Sequence, residues 1–490
     1  MANSSSVKVN YLLNMSYQML KLVTPLLSTP YLSRILTVDG VGYYSYTYSV
    51  ANMFYLLALL GMENYGVRLI ASKGADRKGR TESFWSAYAA QLTIGLIVVC
   101  LYLVFTGCFN KEYYPIDMIW ALWIASAAID ISWLFFGMQD FRTPTFRSTV
   151  IKIVTLVSLF IFVRSEGDLW KYVLLTAGGL FIEQASLWPF ASKYVDGYRP
   201  RFCEIFRHVK PNIMLFVPVI AINCYTTLDK VILGFLSSID QVGYFEYSEK
   251  MSRMPLTLIT ALGTVSLPKL SGVWKSGNQE YAFAFMDKSI WITFWTSCAF
   301  MFGIIAVSSE FVPVFFGEGY EPCRDLMSVL SLMIPAISIT NVIGTQFLLP
   351  NNLDSVYALS VAIAALFNIA LNFLLIPDFG AMGCAIAMVV TEYVVLSVQL
   401  VAIRGRVPVV IFLKKAAFAL PVGVIMFCAI RVFSGTSFAA WVNPIVGLFM
   451  ECLGGASIYL ALAVAVNWKT GNKHFLDFVS RLKQLAMGAK

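Results

Sequence analysis

The sequence predicts an all-α polytopic membrane protein with about 14 transmembrane helices. They form two six-helix lobes in a parallel pseudo-twofold repeat, followed by two extra C-terminal helices. Three observations predict this. The composition is too apolar for water, the apolar runs are long enough to span a bilayer, and a repeat at a fixed offset accompanies a one-sided distribution of cations.

Of 490 residues, 58% are hydrophobic, 15% aromatic and only 13% charged, and the mean hydropathy is +0.71. Soluble domains carry about 25% charged residues. So little polar surface cannot cover a globule, and the surplus apolar surface must face lipid. None of the nine cysteines forms a C-x-x-C pair. Most lie in apolar runs and read as small buried hydrophobes, which argues against a disulfide framework or a cysteine metal site. His208 and His474 fall in cationic surface segments with no neighbouring ligand partner. Met1 to Asn10 is polar, and no small-residue cleavage site follows the first apolar run, so that run is expected to stay as a span.

A span needs roughly 20 apolar residues. The chain offers fourteen candidates: 11–36, 42–67, 84–106, 116–137, 149–163, 169–191, 211–236, 243–268, 289–316, 326–349, 355–376, 380–402, 411–430 and 442–466. The first is studded with Asn14, Ser16, Gln18 and Lys21, which predicts that it faces a cavity.

With the N-terminus in the cytoplasm, the segments on that side hold 25 Lys and Arg residues. The other side holds only four: Lys111, Arg164, Arg324 and Arg431. Positive residues mark the inside, so both termini are expected in the cytoplasm and the number of spans is even. The formal charge of +8 is thereby topogenic rather than a sign of nucleic-acid binding. Seven further cations fall within spans. Lys152 and Lys171 sit near span ends and can snorkel; Lys21, Arg34, Lys230, Lys250 and Arg253 call for another explanation.

Asp39-Gly-Val-Gly-Tyr-Tyr-Ser-Tyr46 and Asp240-Gln-Val-Gly-Tyr-Phe-Glu-Tyr247 are identical at five of eight positions, with an offset of 201. The same offset maps Asn10 to Pro211, where the seventh span begins, and Arg68 to Lys269, which close spans two and eight. Repeats of six spans point the same way, as in transporters whose halves rock about an axis along the membrane normal. The expected organisation is a first lobe over 1–191, an amphipathic cytoplasmic connector over 192–210, a second lobe over 211–402, two extra helices over 403–466 and an interfacial tail over 467–490. Phe202, Ile205, Phe206 and Val209 recur at helical spacing between cations in the connector. Phe475, Phe478, Leu482 and Leu485 do so in the tail.

This order of features resembles the multidrug/oligosaccharidyl-lipid/polysaccharide exporter superfamily, and within it the O-antigen and capsule flippases. The residues carrying the likeness are Leu32-Ser-Arg34-Ile-Leu36, Gly42-Tyr43 and Gly66-Val-Arg68-Leu-Ile-Ala71, then Leu228-Asp229-Lys230, Val242-Gly243-Tyr244 and Pro268-Lys269-Leu270. Asn372-Phe-Leu-Leu-Ile-Pro377 follows with Gly380 and Gly383. The likeness covers spans one to twelve. Many such flippases have twelve spans, and fourteen is closer to the related lipid II flippases. The resemblance implies an undecaprenyl-diphosphate-linked oligosaccharide as cargo, flipped from the cytoplasmic to the outer leaflet of a bacterial inner membrane by alternating access. It implies membrane lipids, a polysaccharide polymerase and a chain-length regulator as partners, and neither cofactor nor metal.

Physical chemistry fits an anionic cargo. A diphosphate crossing low dielectric must be neutralised, and Lys or Arg in a wet cavity donates charge-assisted hydrogen bonds to phosphate. The candidates are Lys21, Arg34, Lys230, Lys250 and Arg253. Sugar contacts are expected from Asn14, Gln18, Asn52, Asn341 and Asn368, with Asn223, Gln346 and Asn372 further candidates. Two pairs leave another reading open. Glu246/Lys250 and Glu249/Arg253 are spaced i, i+4 and can satisfy each other. Asp229, Glu249 and Glu392 are expected to carry protons or balance charge; Glu63, Asp130, Glu183, Glu246 and Glu451 are further intramembrane acids. Arg68 and Lys269 are placed as gating residues. Prolines and glycines inside spans (Pro25, Pro30, Pro218, Pro255, Pro335, Gly263) can bend helices.

Gly74-Ala-Asp-Arg-Lys-Gly79-Arg80-Thr81 nearly matches a phosphate-cradling loop, but it has Arg where Lys belongs and lies between two spans. Two alternatives to a flippase stay open: a cation-coupled exporter of small drugs, and a membrane-embedded polysaccharide polymerase. The first predicts an anionic cavity. The second needs a sizeable outer loop, and the largest expected one is 431–441.

Overall fold

The computed structural model describes residues 4–109, 113–435, 443–477 and 480, with several side chains (4–19, 21, 22 and 261–269 among them) outside the description. Every described element is helical. In chain order they are α1 (Ser4–Leu59), α2 (Met62–Lys73), α3 (Arg77–Phe109), α4 (Tyr114–Ile129), α5 (Ser132–Gly137), α6 (Arg142–Phe162), α7 (Leu169–Ala185), α8 (Trp188–Ala191) and α9 (Phe202–Phe206). Then follow α10 (Val209–Leu236), α11 (Ile239–Lys275), α12 (Gln279–Phe315), α13 (Cys323–Ser331), α14 (Met333–Ile343), α15 (Asp354–Ala402), α16 (Val409–Ala416), α17 (Ala419–Ser434) and α18 (Pro444–Lys469).

The chain is a polytopic membrane protein. Among the described residues eight helices are long and apolar enough to cross a membrane. Fourteen is not reached by that measure. One reason is that α15, with 49 residues, carries both the eleventh and twelfth expected spans across a break at Gly380 (φ 52°, ψ −130°). Likewise α1 has 56 residues and bends at Thr37 (φ 57°, ψ 176°). The second expected span, 42–67, is broken where Leu60 and Gly61 take positive φ. A side chain at Gly61 would sit 2.9 Å from the Asn212 carbonyl, so the turn is fixed by its neighbour as well as by its own φ of 78°. The fourth span, 116–137, breaks at Asp130. Buried Gln91 repairs the break by donating to the Ala127 and Asp130 carbonyls at 2.6 and 2.8 Å, as backbone freed inside a membrane requires.

The chain divides into two compact units, 1–243 and 244–490. The division falls after Gly243 rather than at the connector 192–210, because α10 packs on α1. The ring of Tyr46 would overlap any side chain at Gly234, at 2.4 Å. Within the first unit the repeat explains itself. A Cβ on Gly42 would lie 2.0 Å from the Ile239 carbonyl oxygen, and one on Gly243 would lie 2.4 Å from that of Val38. The offset of 201 that pairs the two glycines also pairs Val38 with Ile239, so one contact is made twice.

The core of the first unit holds a column of rings. Tyr172 stacks on Tyr44 at 4.3 Å, Tyr44 on Tyr48 at 6.0 Å, Tyr48 on Trp123 at 4.8 Å, and Trp123 on Tyr55 at 4.7 Å. They join α1, α4 and α7. In the second unit α12, α17 and α18 pack through Trp295, Cys298, Val422, Met426 and Tyr459.

The near-match to a phosphate loop is spent internally. Gly79 donates to Asp76 at 3.0 Å, and the buried Arg80 guanidinium donates to the carbonyls of Tyr194 and Gly74. Arg77 meets Asp196 at 2.8 Å. These bonds tie the connector to α3. The connector also presents Phe202 (76% exposed) and Phe206 (62%) outward on α9. His208, expected on the surface, is buried. Its Nδ1 lies 2.6 Å from the Tyr65 hydroxyl and its Nε2 lies 2.9 Å from that of Ser86.

Burial and the adjacent Arg207 push the His208 imidazole below its ordinary value. The fold therefore favours the neutral ring. Its stabilisation is present above the unfolded value of about 6.5 and is lost as pH falls through the lower folded value. Between about pH 7.5 and 5.5 the wild type is expected to lose more thermal midpoint than His208→Gln, read from detergent-solubilised protein. Equal losses would remove His208 from this account.

Candidate functional site

α11 and α15 build an ionic group in the second unit. Glu249 and Arg253 are one helical turn apart on α11, and Nε of Arg253 donates to Glu249 at 2.7 Å. Its Nη2 reaches Met388 Sδ at 3.5 Å. Glu392 is the next turn of α15, and Arg253 and Glu249 act on it electrostatically. Both acids are buried, at 6% and 4% exposure. Glu249 pairs with the guanidinium and Glu392 lies within its electrostatic reach, an arrangement that balances charge. Lys250 lies half-buried, with Nζ 6.0 Å from the Tyr247 ring centroid.

The first unit holds another group. Asn52 donates to Thr227 at 3.3 Å, next to fully buried Asp229 and half-buried Lys230 on α10; both charges are engaged. Arg34 is exposed and donates to the Pro30 carbonyl at 2.6 Å. Arg68 is exposed on α2. Asn14, Gln18, Lys21 and Lys269 have side chains outside the described residues. So Glu249, Arg253 and Glu392 come together, Asn52 bonds to Thr227 on the helix that carries Asp229 and Lys230, and Arg34 and Arg68 are exposed.

Polar side chains also line up along α14 and α15. Asn368 and Asn372 are fully buried and joined at 3.1 Å. Asn341 is half-buried; its carbonyl accepts from Thr345 at 2.7 Å, at the start of a π-turn over Gly344–Leu348. Gln346 in that turn is 1% exposed, and neither end of its amide has a partner among the described residues. A π-turn with an unsatisfied buried amide is a frequent mark of function.

The resemblance implies a lateral groove for a long isoprenoid lined by spans thirteen and fourteen, and the structure has an apolar groove at those helices. It lies between α12, α17 and α18 in the second unit, with a volume of about 760 Å³. Its wall is apolar (Trp295, Phe300, Met426, Tyr459). Lys288, Asn467 and His474 stand at one end, and Glu451 is among the lining residues. Near Glu451, Arg431 pairs with Glu310 at 3.1 Å and Ser434 donates to Glu451 at 2.6 Å. No short motif marks such a groove, because α12 is remote in the chain from α17 and α18, which complete its wall.

A family model for polysaccharide biosynthesis proteins matches residues 7–274. The chain belongs to the polysaccharide biosynthesis protein family. Two relatives match this family member over most of their length. A protein of Escherichia coli (strain K12) named "Putative O-antigen transporter" is 24% identical, covering 78% of this chain and 93% of its own. A protein of Shigella dysenteriae with the same name is 23% identical, covering 78% and 96%. Among solved structures, the lipid II flippase MurJ in an inward closed conformation superposes with a TM-score of 0.73 at 16% identity, over 94% of this chain and 99% of that one. The family member thus shares the MurJ fold.

Proposed function

We propose that this chain flips an undecaprenyl-diphosphate-linked oligosaccharide from the cytoplasmic to the outer leaflet of a bacterial inner membrane, with both termini in the cytoplasm. The observation that carries the reading is the near full-length match to relatives named as O-antigen transporters. A fold shared with a lipid flippase supports it. In this reading lobes 1–191 and 211–402 alternate in access, and spans thirteen and fourteen within 403–466 belong to the lipid. Lys21, Lys230 and Lys250 handle the diphosphate, with Arg34 at the end of the first span. Asn14, Gln18, Asn52, Asn341 and Asn368 meet sugar. Arg253 balances Glu249 and Glu392, Asp229 balances charge on α10, and Arg68 and Lys269 serve the gates. The groove holds part of the isoprenoid chain; its volume of about 760 Å³ is that of a site for a medium-sized apolar ligand. Polysaccharide polymerase and a chain-length regulator act on the product.

Complementation of a flippase-null bacterium tests this. Lys21→Ala is expected to abolish surface polysaccharide, and Lys21→Arg to keep part of it, with both proteins abundant in membranes. Full activity of Lys21→Ala would remove it as a phosphate ligand.

A further inference from the structure

The end of the groove that carries Lys288 is closed by the chain that follows α18. Asp287 on α12 is the fastening point. Its Oδ2 takes Lys415 Nζ from α16 at 2.8 Å and His474 Nε2 at 3.1 Å. Its Oδ1 has no partner among the described residues, although the side chain is only 13% exposed. Phe475, the next residue, is buried and lines the groove. The His474 ring lies 6.2 Å from that of Trp291, whose Nε1 donates to Asn467 at 3.3 Å. The segment is pre-shaped, because the Asn472 side chain accepts from the backbone N–H of His474 and of Phe475 at 3.0 and 3.3 Å. Where the sequence placed a surface histidine, the structure builds a closure over one mouth of an apolar cavity.

We propose that residues 472–477 are a strap over the groove, held by Asp287, and that a polyprenyl diphosphate releases it by taking over Lys415 and His474. The inference rests on the reading of the groove as the seat of the isoprenoid chain. Carboxylate and phosphate are the same class of partner for an ammonium or an imidazole N–H, and a diphosphate brings more charge and more acceptor oxygens. Asp287 is therefore a placeholder anion. It keeps the Lys415 ammonium and the His474 ring at the mouth while the groove is empty, and gives them up to the headgroup, with Lys288 beside it as a third donor. The same exchange withdraws Phe475 from the cavity as the chain enters. The strap closes the groove to ordinary lipid chains and opens it to those that carry a diphosphate.

The test uses the full chain in phosphatidylcholine nanodiscs, with two readouts by mass spectrometry. Trypsin cleavage after exposed Lys473 reports release of the strap, and maleimide modification of Cys452, which lines the groove, reports its occupancy. Asp287→Asn and His474→Gln are each expected to speed cleavage about fivefold, as loss of a partly exposed ion pair predicts, and Asp287→Glu to keep it slow. Geranylgeranyl diphosphate is expected to speed wild-type cleavage and protect Cys452. Geranylgeraniol, which has no diphosphate, is expected to do neither, and protection of Cys452 by the alcohol with the strap still closed would overturn the exclusion. If cleavage is indifferent to both variants and to the diphosphate while Cys452 is protected, the strap is overturned and the groove reading stands. If neither compound protects Cys452, the groove reading falls and takes the strap's trigger with it.

Discussion

Gly42→Ala is expected to cut surface polysaccharide in a complemented flippase-null strain by at least about tenfold, with Gly243→Ala close behind. The added methyl of Gly42→Ala would stand 2.0 Å from the Ile239 carbonyl oxygen, and that of Gly243→Ala 2.4 Å from the Val38 oxygen. Both obstacles are backbone, so no rotamer change relieves them, and α1 and α11 must move apart. Overpacking of this kind costs about 1–3 kcal/mol, or roughly 5- to 150-fold in an equilibrium. Gly272→Ala is the control: it lies on the same α11 with nothing within 4 Å of its Cβ. There the change should be neutral or mildly stabilising, since alanine favours a helix by about 1 kcal/mol. Immunoblots of membranes separate loss of protein from loss of transport. An abundant, active Gly42→Ala protein would mean that the double contact is absent from the working molecule.

Arg253→Gln is expected to be the most damaging single change in the second unit. It leaves buried Glu249 without its ion-pair partner and removes the cation that acts on buried Glu392, at 6% and 4% exposure. Removing one partner of a buried ion pair costs about 3–5 kcal/mol, because the remaining charge has lost its counterion. Membrane abundance and surface polysaccharide should both fall by more than about tenfold. The double variant Glu249→Gln/Arg253→Gln should recover part of both, since it removes one stranded carboxylate along with the cation. Arg253→Lys should keep most of the abundance. A double variant that is abundant yet inactive would assign Arg253 to the cargo instead.

What the sequence revealed, and what it hid, follows from the range of the interactions. The membrane class was legible because the solvent acts on every residue. The orientation rested on cations counted over whole loops. The Glu249–Arg253 pair was legible because helical spacing brings i and i+4 together. Glu392 could be named only as a buried acid; its place beside Arg253 is set by packing of α11 on α15. The breaks at Gly61 and Asp130 escaped for a related reason. The carbonyl of Asn212 and the amide of Gln91 decide them, and both lie on other helices. His474 looked like a solvated histidine because its partner, Asp287, sits on a helix remote in sequence. The repeat was visible as five shared letters, but its purpose was not. Only the structure shows that the shared glycines, through residues Val38 and Ile239, are the places where two backbones come within reach.

The ring column in the first unit has a consequence for light. Tyr172, Tyr44, Tyr48, Trp123 and Tyr55 lie within 4.3–6.0 Å of their neighbours, close enough for their electronic transitions to couple. Chromophores held at fixed mutual angles give near-ultraviolet circular dichroism, and lose it when side-chain packing loosens while helices remain. The column therefore acts as a built-in, label-free optical gauge of whether α1, α4 and α7 keep their register, and it belongs to one half of the chain alone.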